Sequence, residues 1–200
     1  SNLCRAKEGQ PGQSACFHGL GHGVASVAGF NLKRSLEYCD RIEGNLGKRD
    51  CGSGVIMELY EPSSFTHAIL EFPSDIPAFC KTLGGVYSEI CYTTSGLHEY
   101  ARSRNIKKGF TTCDQIPLEH RRPCITSMGQ NFYFVFNGNP KEILAACRSA
   151  KKSDQKACIA GAVNSGVLAD PAARRLTDLC SRTEEFTQHC FSYLETARRR

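Results

Sequence analysis

Apolar residues recur along the chain in short helical stretches that close on a cysteine. Ile143, Leu144 and Cys147 follow Asn139-Pro140, and Leu176, Leu179 and Cys180 follow Asp170-Pro171. Ala78, Phe79 and Cys80 follow Ser74 or Asp75 with Pro77. Such spacing places the apolar side chains on one helical face, and a capping side chain followed by proline in the first turn opens a helix. Leu32 to Cys39 is the matching stretch further upstream, and we label these the A helices. A longer apolar stretch follows the next cysteine each time: Cys51 to Tyr60, Cys91 to Ala101, Cys124 to Phe136, Cys158 to Ala169 and Cys190 to Ala197. These are the expected B helices, joined to the A helices by turns such as Asp40 to Asp50 and Arg148 to Ala157. Leu83-Gly84-Gly85 reads as the stop of an A helix. No segment reads as a strand.

The cysteines keep their own period. They stand at 4, 16, 39, 51, 80, 91, 113, 124, 147, 158, 180 and 190, with offsets inside pairs of 12, 12, 11, 11, 11 and 10. Successive first members lie 35, 41, 33, 34 and 33 residues apart. Units near 34 residues are the signature of helix-turn-helix solenoids. In an antiparallel hairpin the end of A and the start of B are neighbours, within the ~4.4–6.8 Å between Cα atoms that a disulfide needs. The regularity selects the local pairing Cys4–Cys16, Cys39–Cys51, Cys80–Cys91, Cys113–Cys124, Cys147–Cys158 and Cys180–Cys190. Structural zinc sites bring cysteines two to four residues apart, and none here are closer than ten. An even, regularly paired set points instead to an oxidising compartment, secreted or periplasmic. The expected fold is all-α: a right-handed superhelical stack of disulfide-linked hairpins forming one domain over residues 1–200, with five to six repeats. Cys4 leaves almost no room for a preceding A helix, so that helix either was never present or lies upstream, the chain then being a fragment that lacks its first helix. Glu61 to Pro73 reads as an inserted loop.

Cys39, Cys51, Gly54 and Tyr60 in CDRIEGNLGKRDCGSGVIMELY are echoed by Cys16-Phe17-His18-Gly19 and Cys158-Ile159-Ala160-Gly161. This pattern resembles the disulfide-stapled, cysteine-rich α/α repeats of the tetratricopeptide superfamily. The resemblance implies a secreted or periplasmic solenoid whose concave groove binds a peptide or protein.

Composition narrows the field. With 40% apolar and 22% charged residues the chain is neither disordered nor fibrous. No apolar run approaches the length of a transmembrane helix. Residues 1–100 carry 8 Lys+Arg against 11 Asp+Glu, whereas residues 101–200 carry 17 against 9. Arg121-Arg122, Lys151-Lys152, Arg174-Arg175 and Arg198 to Arg200 belong to this basic half; they suit an acidic partner or a membrane surface, or are simply solvated helix faces. Aromatic residues do not interleave with the basic pairs, which argues against nucleic acid as a partner.

The most unusual string is Cys16-Phe17-His18-Gly19-Leu20-Gly21-His22-Gly23. His18 and His22 are four apart, so a helix places both imidazoles on one face, the spacing used by helical metal sites. Each glycine there costs a helix ~1 kcal/mol relative to alanine, so three require close packing or a closely approaching ligand. A zincin needs Glu after the first His, where this chain has Gly19. Counted from the leading cysteine of each B helix, a polar column emerges: His22, Glu58, His98, Gln130, Asn131 and Asn164. With His18 it is the expected binding groove, its polar groups satisfying one another or a ligand. The alternative is a metal-binding protein or metalloenzyme in which His18, His22 and Glu58 hold a transition metal such as zinc or copper. No nucleophile elbow, phosphate loop or free thiol is found, so the sequence leaves open whether the protein is an enzyme. His67, His120 and His189 read as isolated loop or turn residues.

Overall fold

The computed structural model describes residues 4, 12–60, 70, 73–169 and 174–198. Helices α1 (Gln13–Val27), α2 (Leu32–Cys39), α3 (Asn45–Tyr60) and α4 (Ile76–Leu83) lie in the first half, and α5 spans Gly85–Ser103. They are followed by α6 (Ile106–Gln115), α7 (Leu118–Val135), α8 (Pro140–Cys147), α9 (Lys152–Ala169), α10 (Arg174–Ser181) and α11 (Thr187–Arg198). Among the described residues there is no strand, and the architecture is all-α with disulfide-linked hairpins. All six local cysteine pairs form, with Cα–Cα distances of 5.2 to 5.7 Å. Every half-cystine except the partly exposed Cys16 is buried.

Local chemistry sets the helix starts. Asn31, Asp75, Asn105 and Asn139 each accept a backbone N–H of the first turn, and Pro77 and Pro140 occupy first-turn positions. Gly84, with φ of 67°, ends α4 as the sequence predicts. The B helices depart from expectation. They begin up to two turns before their cysteine, so Cys51, Cys91, Cys124 and Cys158 each sit seventh in their helix. The connecting turns are therefore short: residues 40–44 before α3, Gly84 alone before α5, and residues 116–117 before α7. For the same reason His120 lies in α7, stacked on Tyr92, and His189 lies in α11; neither is a loop residue. His67, most of the expected insertion and the Asp170-Pro171 cap fall outside the described residues.

The chain divides into two compact units, residues 1–91 and 92–200. Each is organised around its own helix crossing. In the first, an added Cβ at Gly21 of α1 would lie 2.1 Å from the carbonyl of Cys51, and one at Gly54 of α3 would lie 2.0 Å from the carbonyl of His18. In the second, Gly129 of α7 meets the carbonyl of Cys158, and Gly161 of α9 meets that of Thr126 at 2.1 Å. Both crossings use the fifth residue after one B-helix cysteine, Cys16 or Cys124, and the third after that of the next B helix, Cys51 or Cys158. Both bring two B helices together in parallel, backbone against backbone.

The correspondence continues past the crossing. Cys16 to Cys39 and Cys124 to Cys147 span the same number of residues. Gly29-Phe30 and Asn137-Gly138 both adopt positive φ in the turn that follows, and Phe30 and Gly138 return their N–H to Ala25 and Tyr133. The next helix is capped by Asn31 or Asn139. Residues 16–60 and 124–167 are thus two versions of one hairpin arrangement.

Candidate functional site

The first unit's crossing carries ionisable groups. Because α1 and α3 touch through glycine, the side chains on either side of the contact are held close. Glu58, three residues after Val55 on α3, is buried and accepts a hydrogen bond from Nδ1 of His22 at 2.6 Å. His22 retains 30% side-chain exposure. Its other nitrogen, Nε2, lies 3.2 Å from Nε2 of His18, and the two rings meet edge to face. With Nδ1 of His22 protonated towards the carboxylate, its Nε2 accepts the Nε2–H of His18. Burial lowers the pKa of His18 below the ordinary histidine value, His22 adds to this, and the charge of Asp50 partly opposes it. Neutral imidazole is the form that ligates metal.

Sequence reading missed Asp50. It stands on α3 two turns before Glu58, is buried, and its Oδ2 has no hydrogen-bond partner among the described residues. Its spacing from Glu58, across Gly54, was the available signal. The glycines also divide in an unexpected way. Gly21 packs, but Gly19 and Gly23 are exposed and an added Cβ at either would meet nothing within 4 Å. They leave bare backbone beside the two imidazoles.

Of the expected groove residues, the structure gathers His18, His22 and Glu58. His98, Gln130, Asn131 and Asn164 belong to the second unit. His98 is buried, with Nε2 3.0 Å from Thr94 Oγ1, and burial pushes its pKa down to about 3. Gln130 and Asn131 on α7 and Asn164 on α9 are partly exposed.

Glu58 does not take the place expected of a third metal ligand. It reaches Nδ1 of His22, on the far side of the ring from the paired Nε2 atoms. Among the described residues no group of three or more His, Cys, Asp or Glu side chains is placed to hold a metal ion. The arrangement is therefore a pair of imidazoles, one backed by a carboxylate. At the corresponding positions of the second unit stand Thr126, Gln130 and Ser165, with Ala157 for Asp50. That crossing closes with no ionisable group at any of the four places.

No known protein family matches the chain, and no curated protein or solved structure is significantly similar to it.

Proposed function

We propose that this is a secreted or periplasmic helical-hairpin protein that binds a transition-metal ion, zinc or copper, between His18 and His22. The observation that carries the reading is the 3.2 Å separation of the two Nε2 atoms. Two nitrogens bound at ~2.0–2.1 Å to a tetrahedral ion stand about 3.3 Å apart, so the imidazoles need little rearrangement to share one. Binding requires His18 to move its proton from Nε2 to Nδ1 or release it. Glu58 then acts as the carboxylate that fixes the ring and tautomer of a ligating histidine, the usual partner outside the coordination sphere. Water or a substrate group fills the remaining positions, beside the bare backbone of Gly19 and Gly23.

Two further points support this reading. The second unit builds the same crossing from neutral residues, so packing alone does not require two histidines and two carboxylates. Six disulfides and the absence of any helix long and apolar enough to cross a membrane among the described residues agree with an exported protein.

Calorimetric titration of tag-free protein with zinc and with copper tests the proposal. One equivalent is expected to bind, to be lost in His18→Ala, and to weaken ~10–100-fold in Glu58→Gln. Uptake that is absent in the wild type, or that survives both substitutions unchanged, would refute it.

A further inference from the structure

Helices α7 and α9 run in parallel, and the tenth residue after the cysteine on each is a large apolar side chain facing water: Phe134, 61% exposed, and Leu168, 79% exposed. Val135 beside Phe134 is 47% exposed. The tight crossing at Gly129 and Gly161 puts these tips at the same end of the helix pair. Basic groups accompany them. Arg175 donates from Nη1 to the carbonyl of Asn137 at 2.7 Å, fixing a guanidinium on the turn directly after α7. Arg174 and Lys141 are exposed nearby in sequence, and Glu142 is the one acidic side chain among the described residues of 132–145 and 166–177. In the first unit the positions of Phe134, Val135 and Phe136 are held by Ser26, Val27 and Ala28.

We propose that this end of the second unit docks on the surface of a bilayer rich in anionic phospholipid. The tips project as separate, strongly exposed side chains, which suits insertion among lipid headgroups, where apolar burial and attraction of Lys and Arg to anionic lipid act together. A second copy of the chain is disfavoured as the occupant, because a twofold pairing of the patch would set Arg174 and Arg175 against themselves.

The chain has no tryptophan, so Phe134→Trp supplies a single fluorescent reporter. With vesicles of phosphatidylcholine and phosphatidylglycerol at 70:30 the emission is expected to shift to the blue. Partitioning of the wild-type protein, followed by flotation, is expected to fall about tenfold with pure phosphatidylcholine vesicles or with Arg174→Glu, and to be lost in Phe134→Ser/Leu168→Ser. Retention of the six disulfides and of the helical circular dichroism signal shows that each variant is folded. Equal partitioning onto both vesicle types overturns the proposal, as does vesicle binding by the double variant at wild-type strength. Dimerisation that Phe134→Ser/Leu168→Ser abolishes, without any vesicle binding, overturns it in favour of self-association. Binding of a polyglutamate peptide without vesicle binding overturns it in favour of an acidic protein partner.

Discussion

His22 joins two groups, the carboxylate of Glu58 and the imidazole of His18. Its Nδ1 engages a buried carboxylate and its Nε2 faces a second imidazole, so the ring is oriented on both sides. The pairing of His18 with His22 was legible from their spacing on one helix, and Glu58 from its place in the column of polar positions. The role of Glu58 was not legible, because which nitrogen a carboxylate reaches depends on the relative rotation of two helices. His98 belonged to the same column but has a different fate: it is enclosed, and its charge is excluded. The unfolded chain takes up a proton on this residue near pH 6.5, whereas the folded chain does so only near pH 3. Its contribution to stability is therefore full above pH 6.5 and is lost as the pH falls from there towards 3, at up to about 1.4 kcal/mol per pH unit. Urea denaturation at pH 7 and pH 5 should show this loss in the wild type and a smaller one in His98→Gln. Equal losses would mean that His98 accepts a proton in the folded state.

Helix α1 holds three glycines with opposite roles. At Gly21 a Cβ would enter the backbone of α3, whereas at Gly23 it would project into open space. Gly21→Ala should lower stability by about 1–3 kcal/mol through overpacking. Gly23→Ala should raise it by about 0.5–1 kcal/mol through helix propensity. Thermal unfolding of the two variants under identical buffer checks the difference in sign, and a loss at Gly23 would show that something already covers that face. The A helices were readable from their caps, since Asn139-Pro140 and Asp75 with Pro77 act as they do in isolated helices. The starts of the B helices were not. Their first two turns are polar and partly exposed, as in Asn45 to Asp50 and Lys152 to Lys156, and Pro123 precedes Cys124 where a helix start would be placed. Tertiary packing and the disulfides, rather than an apolar stripe, extend these helices.

At the scale of the whole molecule, the regular cysteine period concealed a longer one. Every hairpin carries the same kind of pair, so six similar hairpins and two sets of three produce nearly the same list of cysteines. What separates them lies elsewhere: the glycine crossings, and the positive-φ turns Gly29-Phe30 and Asn137-Gly138 that lead directly into the asparagine caps Asn31 and Asn139. The duplicated scaffold then supplies an internal control. Where the first unit has His18, His22, Asp50 and Glu58, the second has Thr126, Gln130, Ala157 and Ser165 and folds the same crossing. Stability and chemistry are therefore separable at this place in the fold.

The substitution His22→Gln uses that control, because glutamine already stands at the equivalent position, Gln130. The decisive measurement is the metal stoichiometry of this variant, taken beside its thermal midpoint. His22→Gln is expected to give a helical protein melting within a few degrees of the wild type, as for a change of about 1 kcal/mol in a chain of this size, with no bound zinc or copper. A His22→Gln protein that melts far lower yet takes up metal as the wild type does would show that the histidines brace the crossing and are not ligands.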